Sequence, residues 1–436
     1  MSLPAPPPLD PARLAALDAA DEARLPLDDP LAASSSLRAA GHGADATAWA
    51  LSQRSFRASA RSKLGDRAEQ MLFTRAGLEQ ASRAELAARH AATLRAAGAS
   101  AVVDAGCGLG ADSLAFLDAG LDVLAVEIDE ETAALTAWNL ARHPRGEHAR
   151  VVVADVLELL EGGTLAADGE WGRFALWFDP ARREAGASGR RRTFDPEAFS
   201  PPLSALTGLS AADPGRVIAA KLGPGLESGS VPGRFDIEWI THRQDTVEAV
   251  ISTPPAHPGH PAARAVRLEP DAVLERPREP LEAPEGSREA HDDGAAPDLA
   301  PEIRPGDTLW EPVGSVLRAG FVRDLAAELD ADLLDPEIAY VLSARESRSA
   351  PASHPLATGY RVLETLPLHT KKLKSWVRTE GVTELTVKKR GVDLDPAAVR
   401  RQLLAGSKAS GKARKPATLV LTRHAGKRVA LAVEPL

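Results

Sequence analysis

The feature that most constrains this 436-residue chain is a short run in its first third, Val102-Val-Asp104-Ala-Gly106-Cys-Gly108-Leu-Gly110-Ala-Asp112. The valines suit a buried strand, the glycines suit a sharp turn, and Ala111 to Ala119 reads as a helix. Glycine accepts positive φ and lets a ligand lie against main-chain atoms where any Cβ would collide. Strand, glycine turn and helix in that order open an α/β sheet that binds its ligand at the carboxyl ends of the strands. Glu127 follows Gly106 by 21 residues and ends the next strand candidate, Val123–Glu127. A carboxylate at that spacing is placed to accept hydrogen bonds from the two ribose hydroxyls of an adenosine cofactor.

The same rhythm continues. Ala101–Asp104, Val151–Ala154, Phe174–Asp179 and Arg216–Lys221 read as strands, and Glu130–Ala141 reads as a helix. Strands alternating with helices predict a parallel sheet covered on both faces. Phe235–Thr241 and Thr246–Ser252 predict a terminal antiparallel pair. The predicted organisation has four parts: a helical domain over residues 1–97, an α/β core over 98–253, a linker over 254–305 and a small α/β domain over 306–436. In the first, Met71, Leu72, Leu78, Leu86 and Leu94 recur at helical spacing, and Ser82 to Glu85 has the spacing of a capping box opening a helix that runs to Arg95. The linker holds 11 of the chain's 34 prolines, with only a weak apolar run at Ala265–Leu268. In the last part a helix is predicted over Val316–Glu328, a strand over Leu385–Lys389 and a helix over Ala397–Leu404 opened by Asp395-Pro396. A hairpin turns at Ala425-Gly426 between Thr418–Arg423 and Arg428–Val433, and Ser407–Lys415 reads as a basic loop.

Composition matters here mainly through its unevenness. Residues 361–436 hold 17 Lys+Arg and 6 Asp+Glu, a balance of +11, against −20 for the other 360 residues. Nine lysines lie in that last stretch and only Lys63 and Lys221 lie outside it. A basic end on an acidic body points to a polyanionic partner, with a solvated basic face as the plain alternative. Lys371, Lys372, Lys374, Lys388, Lys389 and Arg390 are the candidate contacts, joined by Arg378, Lys408, Lys412, Arg414 and Lys415. Exposed aromatics for base stacking are scarce among them, so backbone contacts to a folded RNA fit better than reading of a single strand. A single cysteine, Cys107, excludes disulfides, cysteine-ligated zinc and iron–sulfur clusters. No apolar run reaches the roughly 18 residues of a membrane helix, and the proline-rich start lacks a basic n-region. The expectation is a cytoplasmic protein with no metal.

Gly106-x-Gly108-x-x-Ala111 also fits a dinucleotide fingerprint. Three features favour S-adenosylmethionine over NAD. Asp104 precedes the glycines, giving Asp-x-Gly-x-Gly-x-Gly, where an acid suits a cationic methionine end and opposes a pyrophosphate. Val151–Asp155 is an apolar strand ending in an acid placed to meet adenine. Phe174-Ala-Leu-Trp-Phe-Asp179-Pro180 ends strand four, where class I S-adenosylmethionine methyltransferases, whose motif I the Asp-x-Gly-x-Gly-x-Gly run resembles, meet the methyl acceptor. Asp179-Pro180-Ala181-Arg182-Arg183 resembles the (Asn/Asp)-Pro-Pro-aromatic motif of amino-methyltransferases in its first half only. In that motif the carboxylate and a carbonyl accept the N–H bonds of the acceptor, and holding donor and acceptor in line supplies most of the acceleration. The second proline and the aromatic are missing here, and Arg182 suits a phosphate or carboxylate instead. A plain strand-ending turn is the alternative for Asp179-Pro180.

Over most of the chain beyond about residue 60 the sequence resembles the bacterial class I methyltransferases with a C-terminal THUMP-like domain. The resemblance is carried by Leu78-Glu-Gln80-Ala-Ser82, Glu85 and His90, by Asp104–Ser113, and by Phe178-Asp-Pro-Ala-Arg-Arg183. It continues in Leu309-Trp-Glu311-Pro312, Ser315 and Ala319-Gly320, then in Leu366-Pro367 with Lys371-Lys372-Leu-Lys374. It implies a helical cap, a Rossmann-like methyltransferase core with a mostly parallel sheet, and a small C-terminal α/β domain. It also implies use of S-adenosylmethionine and a structured-RNA substrate.

Cys107 lies inside the cofactor loop, at the wrong end of the site for the nucleophile of pyrimidine C5-methylation, so a small buried residue is expected. The histidines are scattered, without metal-ligand spacing. His90 faces either the cofactor mouth or solvent. The resulting expectation is methyl transfer to a nitrogen of a structured RNA. The cofactor lies on Asp104, Gly106, Gly108, Gly110, Glu127 and Asp155, and the acceptor on Asp179, Pro180 and Arg182. Two alternatives stay open: a methyltransferase of a small molecule or protein, and a non-catalytic RNA-binding protein that kept the fold.

Overall fold

The computed structural model describes residues 3–165, 171–182, 196–254, 261–278, 299–347, 349–405 and 415–436, with Ala181 and Arg182 described by their backbone alone. Arg183, Lys408, Lys412 and Arg414, named above, lie outside the described residues.

Five helices come first: α1 (Pro11–Glu22), α2 (Pro30–Ala39), α3 (Ala44–Leu64), α4 (Arg75–Gln80) and α5 (Ala84–Ala96). The predicted capping box does not form. Arg83 occupies the cap position of α5, and the buried Ser82 directs its hydroxyl elsewhere. The helices also do not stand apart, because contacts join them to the sheet that follows in one compact unit of Met1–Ile237, Ala249–Ala262 and Pro277–Pro280.

That sheet is built from β1 (Ala101–Ala105), β2 (Asp122–Glu127), β3 (Ala149–Val153) and β4 (Ala175–Phe178), with helices α6 (Ala111–Asp118), α7 (Glu130–Ala141) and α8 (Val156–Glu161) in the crossovers. A two-residue ribbon pairs β5 (Ala181–Arg182) with β6 (Phe199–Ser200), then come α9 (Leu203–Ala212), β7 (Ile218–Leu222), β8 (Asp236–His242), β9 (Asp245–Thr253), β10 (Ala262–Leu268) and β11 (Asp271–Pro277). The strand order is β11-β10-β8-β9-β7-β4-β1-β2-β3. From β7 to β3 all neighbours are parallel, and β9 runs antiparallel to β7. The central strands are apolar on both faces, as sheets covered by helices require: Val102, Val103, Leu176, Trp177 and Phe178 are all fully buried. The chain begins at β1, works outward to β3, then crosses back to β4. The order therefore reverses between β1 and β4, the switch point at whose carboxyl ends open α/β sheets bind their ligands.

The stretch read as a linker is ordered in part. β10 and β11 lie within it, and Ala263 and Ala265 are buried despite the surrounding prolines. Seven residues of modest apolarity were too few to signal a strand without their partners.

The second compact unit comprises Glu238–Glu248, Ala263–Arg276 and Leu281–Leu436. It contains β12 (Thr308–Pro312), α10 (Gly314–Ala319), α11 (Val322–Glu328), β13 (Asp332–Asp335), β14 (Ile338–Ser343), β15 (Ala357–Pro367), α12 (Thr370–Thr379), β16 (Glu384–Lys389), α13 (Pro396–Leu404), β17 (Pro416–His424) and β18 (Lys427–Pro435). Seven strands form a sheet in the order β13-β14-β12-β15-β18-β17-β16. Alternation along β17 sends Leu419 and Leu421 to a core with Leu373 and Val377 of α12, and sends Val420 to the opposite core with Tyr340 and Tyr360. The single helix expected over Val316–Glu328 is two, because Gly320 at φ 75° ends the first. The Ala425-Gly426 hairpin and the Asp395 cap form as expected. Both turn residues have positive φ, and the Asp395 carboxylate accepts from the Ala397 and Ala398 amides at 3.1 and 3.0 Å.

Candidate active site at the sheet switch point

Gly106, Gly108 and Gly110 adopt φ of 86°, 53° and 81°, a region costly for any residue with a Cβ, so the turn after β1 needs glycine at each position. Around Gly108 nothing lies within 4 Å of where a Cβ would stand, whereas the same point on Gly106 is 3.6 Å from the Asp179 carbonyl oxygen. The loop is thus open on one side and closes on the strand-four motif on the other. Glu127, at the end of β2, is tied down by main-chain donors: Gly108 N–H at 3.0 Å on Oε2, and the Ile128 and Asp129 amides at 2.9 and 3.1 Å on Oε1. Beside it Ile128 is 64% exposed, an apolar side chain standing free where a flat ring can rest. Asp155 caps α8, its carboxylate accepting from Leu157 N–H at 2.8 Å. Open glycine backbone, a carboxylate at the edge, an exposed apolar side chain and a further acid one strand on form a donor set that fits an adenosine-bearing cation.

Asp104 is 1% exposed and its Oδ2 accepts from Ser113 Oγ at 2.5 Å. Burial and the neighbouring Asp112 push its carboxyl up to about 8, against the pull of the Ser113 hydrogen bond. Asp112, on the first turn of α6, is also buried. Burial alone would raise it, but His90 Nδ1 at 2.7 Å, together with Lys221 and the Ser82 hydroxyl at 2.8 Å, lowers it to about 2. His90 is fully buried with its ring 4.5 Å from that of Trp177, which removes the solvent-facing alternative. Asp179 ends β4, and its Oδ2 lies 2.5 Å from Lys221 Nζ. Burial nonetheless pushes the Asp179 carboxyl above its ordinary value, with Lys221 opposing. Pro180 follows it, and β5 then pairs the Arg182 backbone with that of Phe199. Cys107 is buried and its thiol is pushed up by burial and by Asp104 and Glu127, the opposite of an activated nucleophile.

The structure therefore brings Asp104, the three glycines, Glu127 and Asp179 to the carboxyl ends of β1, β2 and β4 and adds what the sequence reading did not single out: Lys221, and Ser82 and Asp112 as partners. The signal for Ser82, His90 and Asp112 was their shared place in the family resemblance. That for Lys221 was its rarity as a lysine in the acidic body. Among the described residues no group of three His, Cys, Asp or Glu could hold a metal ion.

In the second unit Lys371 and Lys372 are exposed on α12 and Lys374 is half-exposed beside them, while Leu373 and Val377 on the other face are buried. Lys389 is exposed. Lys388 and Arg390 are already engaged: Lys388 Nζ lies 2.5 Å and Arg390 Nη2 3.9 Å from the Glu311 carboxylate, which also accepts from Tyr340 and Tyr360 at 3.4 Å.

Residues 357–435 match the family described as THUMP domain-like. Two strains of Mycobacterium tuberculosis, CDC 1551 and H37Rv, each carry a protein named as an uncharacterized S-adenosylmethionine-dependent methyltransferase. Both are 30% identical over 390 residues, spanning 87% of this chain and 93% of the relative. A Porphyromonas gingivalis W83 crystal structure, titled as that of a candidate methyltransferase, superposes with a TM-score of 0.72 at 20% identity, covering 98% of this chain and 99% of that one. The glycine turn, the whole-length likeness and the C-terminal match together identify the chain as a member of the S-adenosylmethionine-dependent methyltransferases with a C-terminal THUMP-like domain.

Proposed function

We propose that this methyltransferase acts on a nitrogen of a structured RNA in the cytoplasm, with the first unit performing the chemistry and the basic stretch 361–436 of the second unit holding the RNA. The observation that carries the reading is Asp179-Pro180 at the end of β4, directly beneath the glycine turn. S-Adenosylmethionine supplies an electrophilic methyl group on a sulfonium. Gly106, Gly108 and Gly110 would hold its backbone-facing side, Glu127 would take the ribose hydroxyls, Asp155 and Ile128 would flank adenine, and Asp104 would face the methionine end. Asp179 and the Pro180 carbonyl accept the N–H bonds of the acceptor, and Arg182 orients a neighbouring phosphate. Alignment of a nucleophile already held near the methyl group supplies most of the rate, and the surplus proton leaves to solvent after transfer.

RNA is supported by the THUMP-like match and by the exposed Lys371, Lys372 and Lys389 with the half-exposed Lys374. Phosphate contacts release counterions, so binding should weaken steeply with salt. Incubating wild type and Asp179→Ala with unmodified total RNA and methyl-labelled cofactor, followed by nucleoside mass spectrometry, tests the reading. A labelled N-methyl nucleoside with wild type alone is expected. Label on protein or small molecules only, or on ribose oxygen, overturns it.

A further inference from the structure

Lys221 is one of two lysines outside residues 361–436, and its side chain is only 15% exposed. Lysine is rarely buried without a partner that needs it. β7 lies beside β4 in parallel register, with Ala220 opposite Phe178, so the next residues, Lys221 and Asp179, emerge side by side at the carboxyl ends. The ammonium contacts Asp179 Oδ2 at 2.5 Å and donates to Ser82 Oγ at 3.2 Å. Ser82 donates to Asp112 Oδ2 at 2.8 Å, and Asp112 Oδ1 meets His90 Nδ1 at 2.7 Å. A sheet strand, the segment before α5, α5 itself and α6 thus combine to fix one ammonium against one carboxylate.

We propose that Lys221 is a positioning residue for methyl transfer: it holds Asp179 ionised and turned so that Oδ2 is occupied and the other oxygen serves the acceptor, within an ion-paired site that selects a neutral amine over an ammonium. The specificity clause rests on the N-methyltransferase reading above; the positioning of Asp179 does not. An acceptor already carrying positive charge has no lone pair to give and meets a second ammonium at the site. A nucleobase amine meets neither obstacle. The groups facing Asp179 are Lys221 from β7, Asp104 from β1, Asp112 from α6 and His90 from α5, and Lys63 is near enough to Lys221 and to Arg83 to be repelled by both. Burial and Asp112 work against the charged form of Asp179, and Lys221 and His90 work for it.

The test is a carbon-13 NMR titration of aspartate-labelled full-length protein, with Asp179 assigned by its loss in Asp179→Asn, run on wild type, Lys221→Met and Lys221→Arg. In Lys221→Met the Asp179 pKa should rise by about one unit or more, a tenfold gain in proton affinity. The acid limb of the pH–rate profile should move the same way. Lys221→Arg should restore both, while S-adenosylmethionine affinity by calorimetry stays within about threefold. If Lys221→Met does not fold, Lys221→Gln carries the same expectation. An unchanged Asp179 titration in a folded charge-free variant, or failure of arginine to restore it, overturns the positioning role. Equal transfer by wild type to a lysine-containing peptide overturns the neutral-amine clause. Absence of transfer to RNA would instead count against the function proposed above, leaving the titration to decide this point alone.

Discussion

Two ion pairs of the same length, 2.5 Å, sit in the two units: Asp179–Lys221 in the first and Glu311–Lys388 in the second. Around Glu311 the charges are balanced in favour of the pair. Two tyrosine hydroxyls and Arg390 add to the hold on the carboxylate, and Lys388, which burial alone would make easier to deprotonate, is instead held above its ordinary value by Glu311 and Tyr360. Around Asp179 the balance is reversed. Burial and Asp112 keep its carboxyl above the ordinary range even with an ammonium in contact. The same bond is a structural lock in one place and an unrelieved carboxylate cluster in the other, because a pair's worth is set by the other charges and solvent it faces. Carboxylates held against such opposing neighbours cluster at functional sites.

Breaking the first unit's site should give the largest effects. Gly106→Arg places a long side chain on a backbone at φ 86°, in the loop that lies against Asp179. Calorimetry should show S-adenosylmethionine affinity reduced by more than about 100-fold; retention of wild-type affinity would remove the glycine turn from the cofactor site. Asp179→Ala should lower methyl transfer by about 100-fold while cofactor affinity stays within about threefold, since the residue acts on the acceptor end. Loss of both together would make Asp179 a cofactor residue.

The second unit offers a contrast between free and paired cations. Replacing Lys371, Lys372 and Lys374 by alanine should reduce the slope of log affinity for RNA against log salt by about 2 to 3. Lys388→Ala should leave that slope almost unchanged and show its effect in thermal stability, because Glu311 already occupies the ammonium. Equal slopes in all variants would move RNA binding away from α12.

The smallest effect sharpens the electrostatic half of the comparison. Asp104 is raised to about 8 when folded, against roughly 4 when unfolded. The folded state therefore holds the proton more tightly, and this stabilisation is present below about pH 4 and lost as pH rises toward 8. Asp104→Asn should raise the melting temperature by several degrees at pH 8 and change it little at pH 5. An equal shift at both pH values would show that Asp104 titrates elsewhere.

Much of the fold could be read locally. The boundaries of β1, β2, β3, β4 and β7 fell within two residues of the sequence expectation, because apolar runs bounded by glycine and acidic caps are local signals. Among the elements that escaped, two cases show why. β10 and β11 are short strands in a proline-rich stretch whose pairing partners, not their own residues, make them strands. Ser82 has a capping-box neighbour at Glu85, yet a buried Asp112 competes successfully for its hydroxyl. A local rule yields there to a buried charge, since an unpaired carboxylate costs more than an uncapped helix end.

The sequence alone determined the strand–glycine turn–helix, the acid 21 residues on, the Asp395 cap and the Ala425-Gly426 turn. In each, the deciding factors are backbone angles and hydrogen bonds between residues close in the chain. Only the tertiary structure decided that Lys221 meets Asp179, that Ser82 and His90 converge on Asp112, and that Glu311 pairs with Lys388. Charges do not name their partners in sequence. Strand order and register bring together groups 22 to 77 residues apart, and burial then sets what each pairing does.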